Sequence, residues 1–217
     1  MKFADLHFFD LLFFCDAIAL APPSESLSFA SDVIWYFNDQ DQTDYDLLDV
    51  KYVIAPADKV MRSFLTPIRK TARYILWRAE TTGCGEVANS ILPKNADSQA
   101  TLQNENLQWL WKRAREGEFI RWSYPVADAT RAAASGPLLV PPRRGTVSDR
   151  RVTADLFELQ VELFSQSVVV VKTTYNPKWS AAIDGRHADT FMVSPGYIGL
   201  IVPQAFIACE SRIAAEP

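Results

Sequence analysis

Cysteine and histidine are both scarce in this chain. The three cysteines, Cys15, Cys84 and Cys209, are far apart and form no CxxC pair, which argues against a zinc site and allows at most one disulfide bond. The two histidines, His7 and His187, have no nucleophile motif beside them, since GxSxG and HExxH do not occur. Because a histidine base needs a positioned partner, we predict no catalytic residue and no cofactor.

Features that bind phosphate groups are also lacking. The net charge is −4 and the isoelectric point about 5.3, so the chain has no general attraction for a nucleic-acid backbone. The segment Gly83-Cys84-Gly85 is followed by Ala88 where a dinucleotide-binding loop has its third glycine, which indicates a turn between strands. We therefore expect no nucleic-acid partner.

No hydrophobic run approaches the roughly 18 residues that span a bilayer, which favours a protein peripheral to a membrane. The N-terminus resembles a signal peptide, with Lys2, a Phe/Leu-rich stretch and Ala19-Leu20-Ala21, but three aspartates interrupt it. A signal, an anchor and a packed amphipathic segment all stay open, and we prefer the packed segment. The predicted division is an apolar, helical segment over 1–45 and a β-rich domain over 46–217.

Strand patterns dominate the second half of the chain. Apolar and polar residues alternate along Phe157–Leu163, Ser167–Tyr175 is largely β-branched, and Asp184-Gly185 is a strong hairpin signal. Earlier strands are predicted at Val50–Ala55 and Tyr74–Ala79. The chain is therefore expected to be α+β and mainly β, an antiparallel, jelly-roll-like β-sandwich with a few short helices.

Helical periodicity is clearest between residues 102 and 115. There Leu107, Leu110, Trp111 and Ala114 recur at i, i+3, i+4 and i+7, which predicts a helix inserted in the β domain. The first three of these side chains are expected to rest on the β core. A short helix is also expected over residues 57–65, a surface loop over 89–103 and a linker over 127–136.

An acidic run offers weak metal candidates. Asp39, Asp41 and Asp44 could supply oxygen ligands to Ca²⁺, but the run lacks the central glycine and terminal glutamate of an EF-hand. The alternative is a solvated loop in which Asp44 or Asp46 caps the following segment, and we prefer it.

A second candidate site lies around the hairpin. Tyr175 and Trp179 flank a polar turn that contains Asn176, with Asp184 at the hairpin tip. Aromatic faces stack on sugar rings while Asp and Asn bind hydroxyl groups, so these residues could bind a glycan. A Trp that opens a strand more often belongs to the core, and we prefer this structural interpretation.

Two stretches resemble a known family. Asp46–Pro56 (DLLDVKYVIAP), followed by YILWRAET, is similar to a segment of YfhO-like bacterial membrane proteins. Val168–Pro203 resembles their C-terminal hairpin, and Tyr175, Pro177 and Trp179 fall on positions of that pattern, as do Asp184 and Gly185. The resemblance covers roughly residues 30–85 and 145–203. The sequence departs from the family after residue 203, where the usual closing turn and strand are weak.

The resemblance implies a function outside the cytoplasm. Members of that family are similar to multi-spanning glycosyltransferases of the GT-C type, whose catalytic acid lies in a membrane-spanning half that nothing here matches. The expected function is a non-catalytic accessory or glycan-binding domain of such a protein, on the extracytoplasmic face of the membrane. The alternative is a structural interaction subunit that docks on a membrane protein complex. The expected partner is a membrane protein or a glycan.

Overall fold

A computed structural model describes residues 38, 40–111, 117–123, 145–153 and 156–215, without the side chains of 99, 103, 107, 111 and 205–215. These ranges contain two helices and fourteen strands, so the predicted α+β, mainly β class is confirmed. The elements are α1 Gln42–Leu47, β1 Tyr52–Pro56, β2 Leu65–Lys70, β3 Tyr74–Ala79, β4 Gly85–Val87, β5 Ser90–Asn95, α2 Gln99–Trp111, β6 Glu118–Ser123, β7 Gly145–Val152, β8 Leu156–Leu163, β9 Ser167–Thr174, β10 Trp179–Ile183, β11 Arg186–Ala188, β12 Thr190–Val193, β13 Tyr197–Val202 and β14 Ala205–Ala215.

The first three strands form a small antiparallel sheet in the order β1-β3-β2. Because β1 and β2 both run antiparallel to β3, the segment between them must return along the whole sheet. The short helix predicted over 57–65 is wrong, since turns and irregular backbone lead there into β2. A nine-residue helix would cover only about 13 Å, less than the length of these strands.

A six-stranded sheet has the order β4-β9-β13-β12-β6-β5. Its pair β5 and β6 is parallel, and α2 provides the crossover connection that such a pair requires. The surface loop predicted over 89–103 is therefore wrong, because β5 and the first turn of α2 occupy most of it. Pro93 is tolerated in β5 because this strand lies at the edge of the sheet.

A five-stranded sheet has the order β11-β10-β14-β8-β7. Its residues Phe157, Leu159, Val161 and Leu163 are buried together with Val169, Val171, Ile198, Leu200 and Val202 of the six-stranded sheet. The predicted alternation along β8 and the antiparallel pairing of β9 are confirmed. The two sheets thus share one hydrophobic core, while the jelly-roll-like sandwich remains a prediction.

Helix α2 packs in a second core cluster with β5, β6, β12 and β13. Ser98 begins the helix, and its Oγ accepts a hydrogen bond from the Thr101 N–H at 3.1 Å. Leu102 and Trp109 are buried, and Leu110 packs beside them as predicted. The side chains of Leu107 and Trp111 lie outside the described part, as does all of Ala114.

Helix α1 connects the small sheet to the rest of the domain. Tyr45 is fully buried in a third cluster with Leu65 and Ala79, and its ring meets Phe64 edge-on at 5.2 Å. Leu47 packs against the cluster around α2. The predicted boundary at residue 45 falls inside this helix and remains a prediction. Among the described residues, no helix is long and apolar enough to cross a bilayer.

Candidate functional site

The predicted hairpin residues do not form one site. Trp179 is buried, and its Nε1–H donates to the Thr174 carbonyl at 3.1 Å. Its ring meets Phe157 edge-on at 5.7 Å, and the half-buried Tyr175 packs on the same core cluster. Asp184 lies at the other end of β10, about 15 Å away at the usual rise of a strand. The indole therefore presents no exposed face to a sugar.

The remaining hairpin residues, Asn176 and Asp184, have structural roles in the two turns at the ends of β10. Asn176 Oδ1 accepts a hydrogen bond from the Lys178 N–H at 2.9 Å, so its amide stabilises the turn before the strand. Asp184 and Gly185 have φ of 49° and 75°, which is the backbone of a two-residue type I′ hairpin. The predicted tight turn is thus confirmed. After β11 the chain leaves this sheet and enters the six-stranded sheet at β12.

The acidic run is used to begin helix α1. Asp41 is the N-cap, and its Oδ1 accepts a hydrogen bond from the Thr43 N–H at 3.0 Å. Asp44 Oδ2 accepts one from the Asn38 N–H at 2.8 Å, whereas Asp39 lies outside the described residues. In the part of the chain that the structure describes, no three Asp, Glu, His or Cys side chains gather as a metal site. The cap is Asp41, where the sequence suggested Asp44 or Asp46.

A charged cluster joins the small sheet to both larger sheets. In its first half, Lys51 Nζ lies 3.1 Å from Asp49 and 3.2 Å from Asp149. The Asp149 carboxylate also accepts hydrogen bonds from the Cys84 N–H at 3.1 Å and the Cys84 thiol at 3.0 Å. Gly83 makes this approach possible, since it has φ +89° and a Cβ there would lie 2.9 Å from Asp149 Oδ2.

The second half of the charged cluster surrounds Lys172 of β9. Its side chain is 1% exposed, and Nζ pairs with Glu86 at 3.2 Å. The same ammonium donates to the Asp46 carbonyl at 2.7 Å and to Thr82 Oγ1 at 2.6 Å. The Thr82 N–H in turn donates to Asp46 Oδ1 at 3.0 Å. These bonds fasten the end of α1 and the segment after β3 to the six-stranded sheet.

The electrostatics of the charged cluster suit stabilisation better than reaction. Burial and the hydrogen bond to Asp149 raise the pKa of the Cys84 thiol, so the reactive thiolate is disfavoured. Burial opposes ionisation of Asp149, yet hydrogen bonds from Cys84 and Lys51 outweigh it and lower the pKa of that carboxyl. Burial raises the pKa of Asp46, which has fewer compensating donors. The cluster therefore holds the sheets together with a carboxylate and a protonated thiol.

The outer face of the small sheet carries several exposed apolar side chains. Tyr52, Ile54, Ile68 and Tyr74 are each at least half exposed. Ile54 lies opposite Leu76, which lies opposite Arg69, so the three strands contribute one row across the face. Val53, Ala55 and Ile75 alternate to the other side, where Val53 packs in the cluster that contains Tyr45 of α1.

A buried arginine on β6 stands apart from the charged cluster. Arg121 is only 8% exposed, and its guanidinium carbon lies 4.4 Å from the centre of the Phe191 ring. No described carboxylate forms an ion pair with it, and burial lowers the pKa of its guanidinium. The Phe191 ring packs over Gly199, where a Cβ would lie 2.5 Å from the ring.

The sequence analysis identified neither the charged cluster nor the outer face of the small sheet. Asp149 is 65 positions from Cys84 and 98 from Lys51, so no local spacing connects them. The outer face of the small sheet did have a signal, since Tyr52 and Ile54 are both apolar on the same side of a strand whose other side is also apolar. Comparisons with family models, curated proteins and solved structures found no match to this chain.

Proposed function

We propose that this chain is a non-catalytic binding module that docks on a membrane-associated partner through the outer face of its small sheet. The observation that carries the proposal is the set of exposed Tyr and Ile side chains on that face. Contiguous exposed apolar surface marks interaction sites, whereas single exposed apolar residues do not. Of the two functions that the sequence suggested, this observation favours the docking subunit.

The relation to extracytoplasmic glycosyltransferase-like proteins remains part of this proposal. Its support is the resemblance of Asp46–Pro56 and Val168–Pro203 to YfhO-like proteins. A glycan-binding role at the β10 hairpin has less support, because Trp179 is buried. The charged cluster fits a supporting role, since Lys51 and the end of α1 hold the docking sheet on the main domain.

The test is a pair of charge substitutions on matched exposed residues. Ile54→Glu places a carboxylate in the middle of the outer face, while Phe164→Glu changes a side chain that is 66% exposed after β8. Since burying one such side chain contributes about 1.5–3 kcal/mol, we expect Ile54→Glu to weaken binding to native membrane fractions by about tenfold or more. Phe164→Glu is expected to bind as the parent does.

The measurement is co-sedimentation with membrane fractions of the native cell, with thermal unfolding of each variant as the control for folding. Equal binding by parent and Ile54→Glu would contradict the proposed surface. Absence of binding by the parent would contradict docking altogether.

A further inference from the structure

The small sheet has a charge opposite to that of the rest of the chain. Residues 51–80 contain seven basic and two acidic side chains, a net charge of +5, whereas the whole chain carries −4. The other residues therefore carry −9. Such an asymmetry orients a protein in the field of a charged surface, with the basic part facing a negative one.

The basic residues concentrate at one end of the small sheet, which we call the hairpin end and define as residues 56–60 and 68–74. There the Thr71 N–H and Oγ1–H both donate to the Tyr74 carbonyl, at 2.8 and 2.9 Å, and close the turn from β2 to β3. The Ala57 N–H donates to the Arg73 carbonyl at 2.9 Å, which brings the chain after β1 to the same end. The hairpin end has four basic residues and one acidic residue.

Three of the four cations of the hairpin end are available to a ligand. Arg69, Lys70 and Arg73 are exposed, and no described carboxylate lies within ion-pair distance of any of them. At the opposite end of the sheet, Arg78 pairs with Glu80 at 2.7 Å and Lys51 with Asp149 at 3.2 Å. Three cations without an ion-pair partner among the described residues are therefore gathered at the hairpin end.

Exposed apolar side chains lie among these free cations. Tyr74 closes the hairpin turn, Ile68 sits in the irregular part of β2, and Val60 is 88% exposed. A tyrosine presents an apolar ring and a polar hydroxyl, which suits the boundary between lipid headgroups and acyl chains. Arginine and lysine beside such residues bind anionic headgroups while their aliphatic stems cover apolar surface.

We propose that the hairpin end binds the surface of an anionic lipid bilayer, with Tyr74 and Ile68 inserted at the headgroup level. This inference rests on the proposed docking function and names its partner. Anionic lipid attracts the net charge of +5 on residues 51–80 and repels the net negative charge of the rest of the sequence, which favours an approach with the hairpin end towards the bilayer. Each basic residue near an anionic surface strengthens binding by about fivefold, so the three free cations account for about a hundredfold preference for anionic over neutral lipid.

The experiment measures binding of the full chain to vesicles of phosphatidylcholine alone and of phosphatidylcholine with about 30% phosphatidylglycerol. We expect binding to the anionic vesicles only, and a loss of more than tenfold when salt rises from about 0.05 M to about 0.5 M. The double variant Arg69→Glu/Arg73→Glu should lose binding by about a hundredfold or more, and Tyr74→Ala by about tenfold. Arg186→Glu, an exposed cation on the β10–β11 hairpin, is the matched control and should bind as the parent does.

Three results would overturn the lipid assignment. The first is equal affinity for neutral and anionic vesicles. The second is concentration-dependent self-association in analytical ultracentrifugation that Arg69→Glu abolishes, since this would make the acidic part of a second copy the partner. The third is binding to native membrane fractions, lost in Ile54→Glu, with no binding to either vesicle. That last result would leave the docking function intact and identify its partner as a membrane protein.

Discussion

Asp149 offers a stability prediction that follows directly from its contacts. Replacing it by Ala leaves the Cys84 N–H without an acceptor in a buried site. An unsatisfied buried donor costs about 1–3 kcal/mol, and the lost ion pair with the part-exposed Lys51 adds at most about 1 kcal/mol. We therefore expect Asp149→Ala to lower the free energy of unfolding by about 3 kcal/mol. Asp149→Asn keeps an acceptor for the N–H and should cost only about 1 kcal/mol.

The same carboxylate predicts a dependence on pH. Its pKa in the folded protein is below the ordinary value of 3.8, because Cys84 and Lys51 stabilise the charged form. The stabilisation is therefore fully present above the unfolded pKa and is lost as pH falls through the folded pKa. Urea unfolding of the parent and Asp149→Asn should show a difference at about pH 6 that shrinks towards about pH 3. A constant difference, or a cost for Asp149→Ala below about 0.5 kcal/mol, would refute this reasoning.

Three further substitutions test separate features, each by urea unfolding. Trp179→Ala should lower the free energy of unfolding by about 3–5 kcal/mol, since it removes a buried ring and its bond to the Thr174 carbonyl; a loss below about 1 kcal/mol would show that the ring is not in the core. Gly185→Val should cost about 1–2 kcal/mol from backbone strain alone, because φ is +75° and no atom lies within 4 Å of the added Cβ; Gly185→Asn should cost less, and equal costs would contradict strain as the cause. Arg121→Met should leave stability unchanged or raise it, because the buried guanidinium has no described anionic partner; a loss above about 1 kcal/mol would reveal such a partner.

Local sequence patterns correctly predicted strands that have one buried face and one exposed face, and tight turns. Alternation along Phe157–Leu163 gave β8, and Asp184-Gly185 gave the β10–β11 turn. These signals depend only on neighbouring residues in the chain, so they predict the element correctly for any order of strands in the sheet. They fixed the class of fold without its topology.

The missed strands have proline or mixed patterns. Pro67 in β2 and Pro93 in β5 are residues that a central strand disfavours, but both strands lie at sheet edges, where a missing N–H costs little. Strand β14 has no clean alternation, yet it pairs on both sides with β8 and β10. Sheet position decides each case, and sheet position is not a local property of the sequence.

The candidate surfaces were harder to predict than the fold. The charged cluster depends on contacts between residues such as Cys84 and Asp149 that meet only after three sheets have assembled. The excess of basic residues over 51–80 was visible in the sequence, but the overall charge of −4 concealed it. Charge counted over each predicted unit, instead of over the whole chain, would have shown it.

The place of β14 has a consequence for synthesis of the chain. The five-stranded sheet consists of two ribbons, β7–β8 and β10–β11, and only β14 connects them. Until residues 205–215 have left the ribosome, each ribbon has an unpaired edge of N–H and C=O groups facing the gap that β14 will fill. Such edges pair readily with other chains, so a ribosome that stalls shortly before this strand would release an aggregation-prone product. Completion of this sheet thus waits for β14, the last of its five strands along the chain.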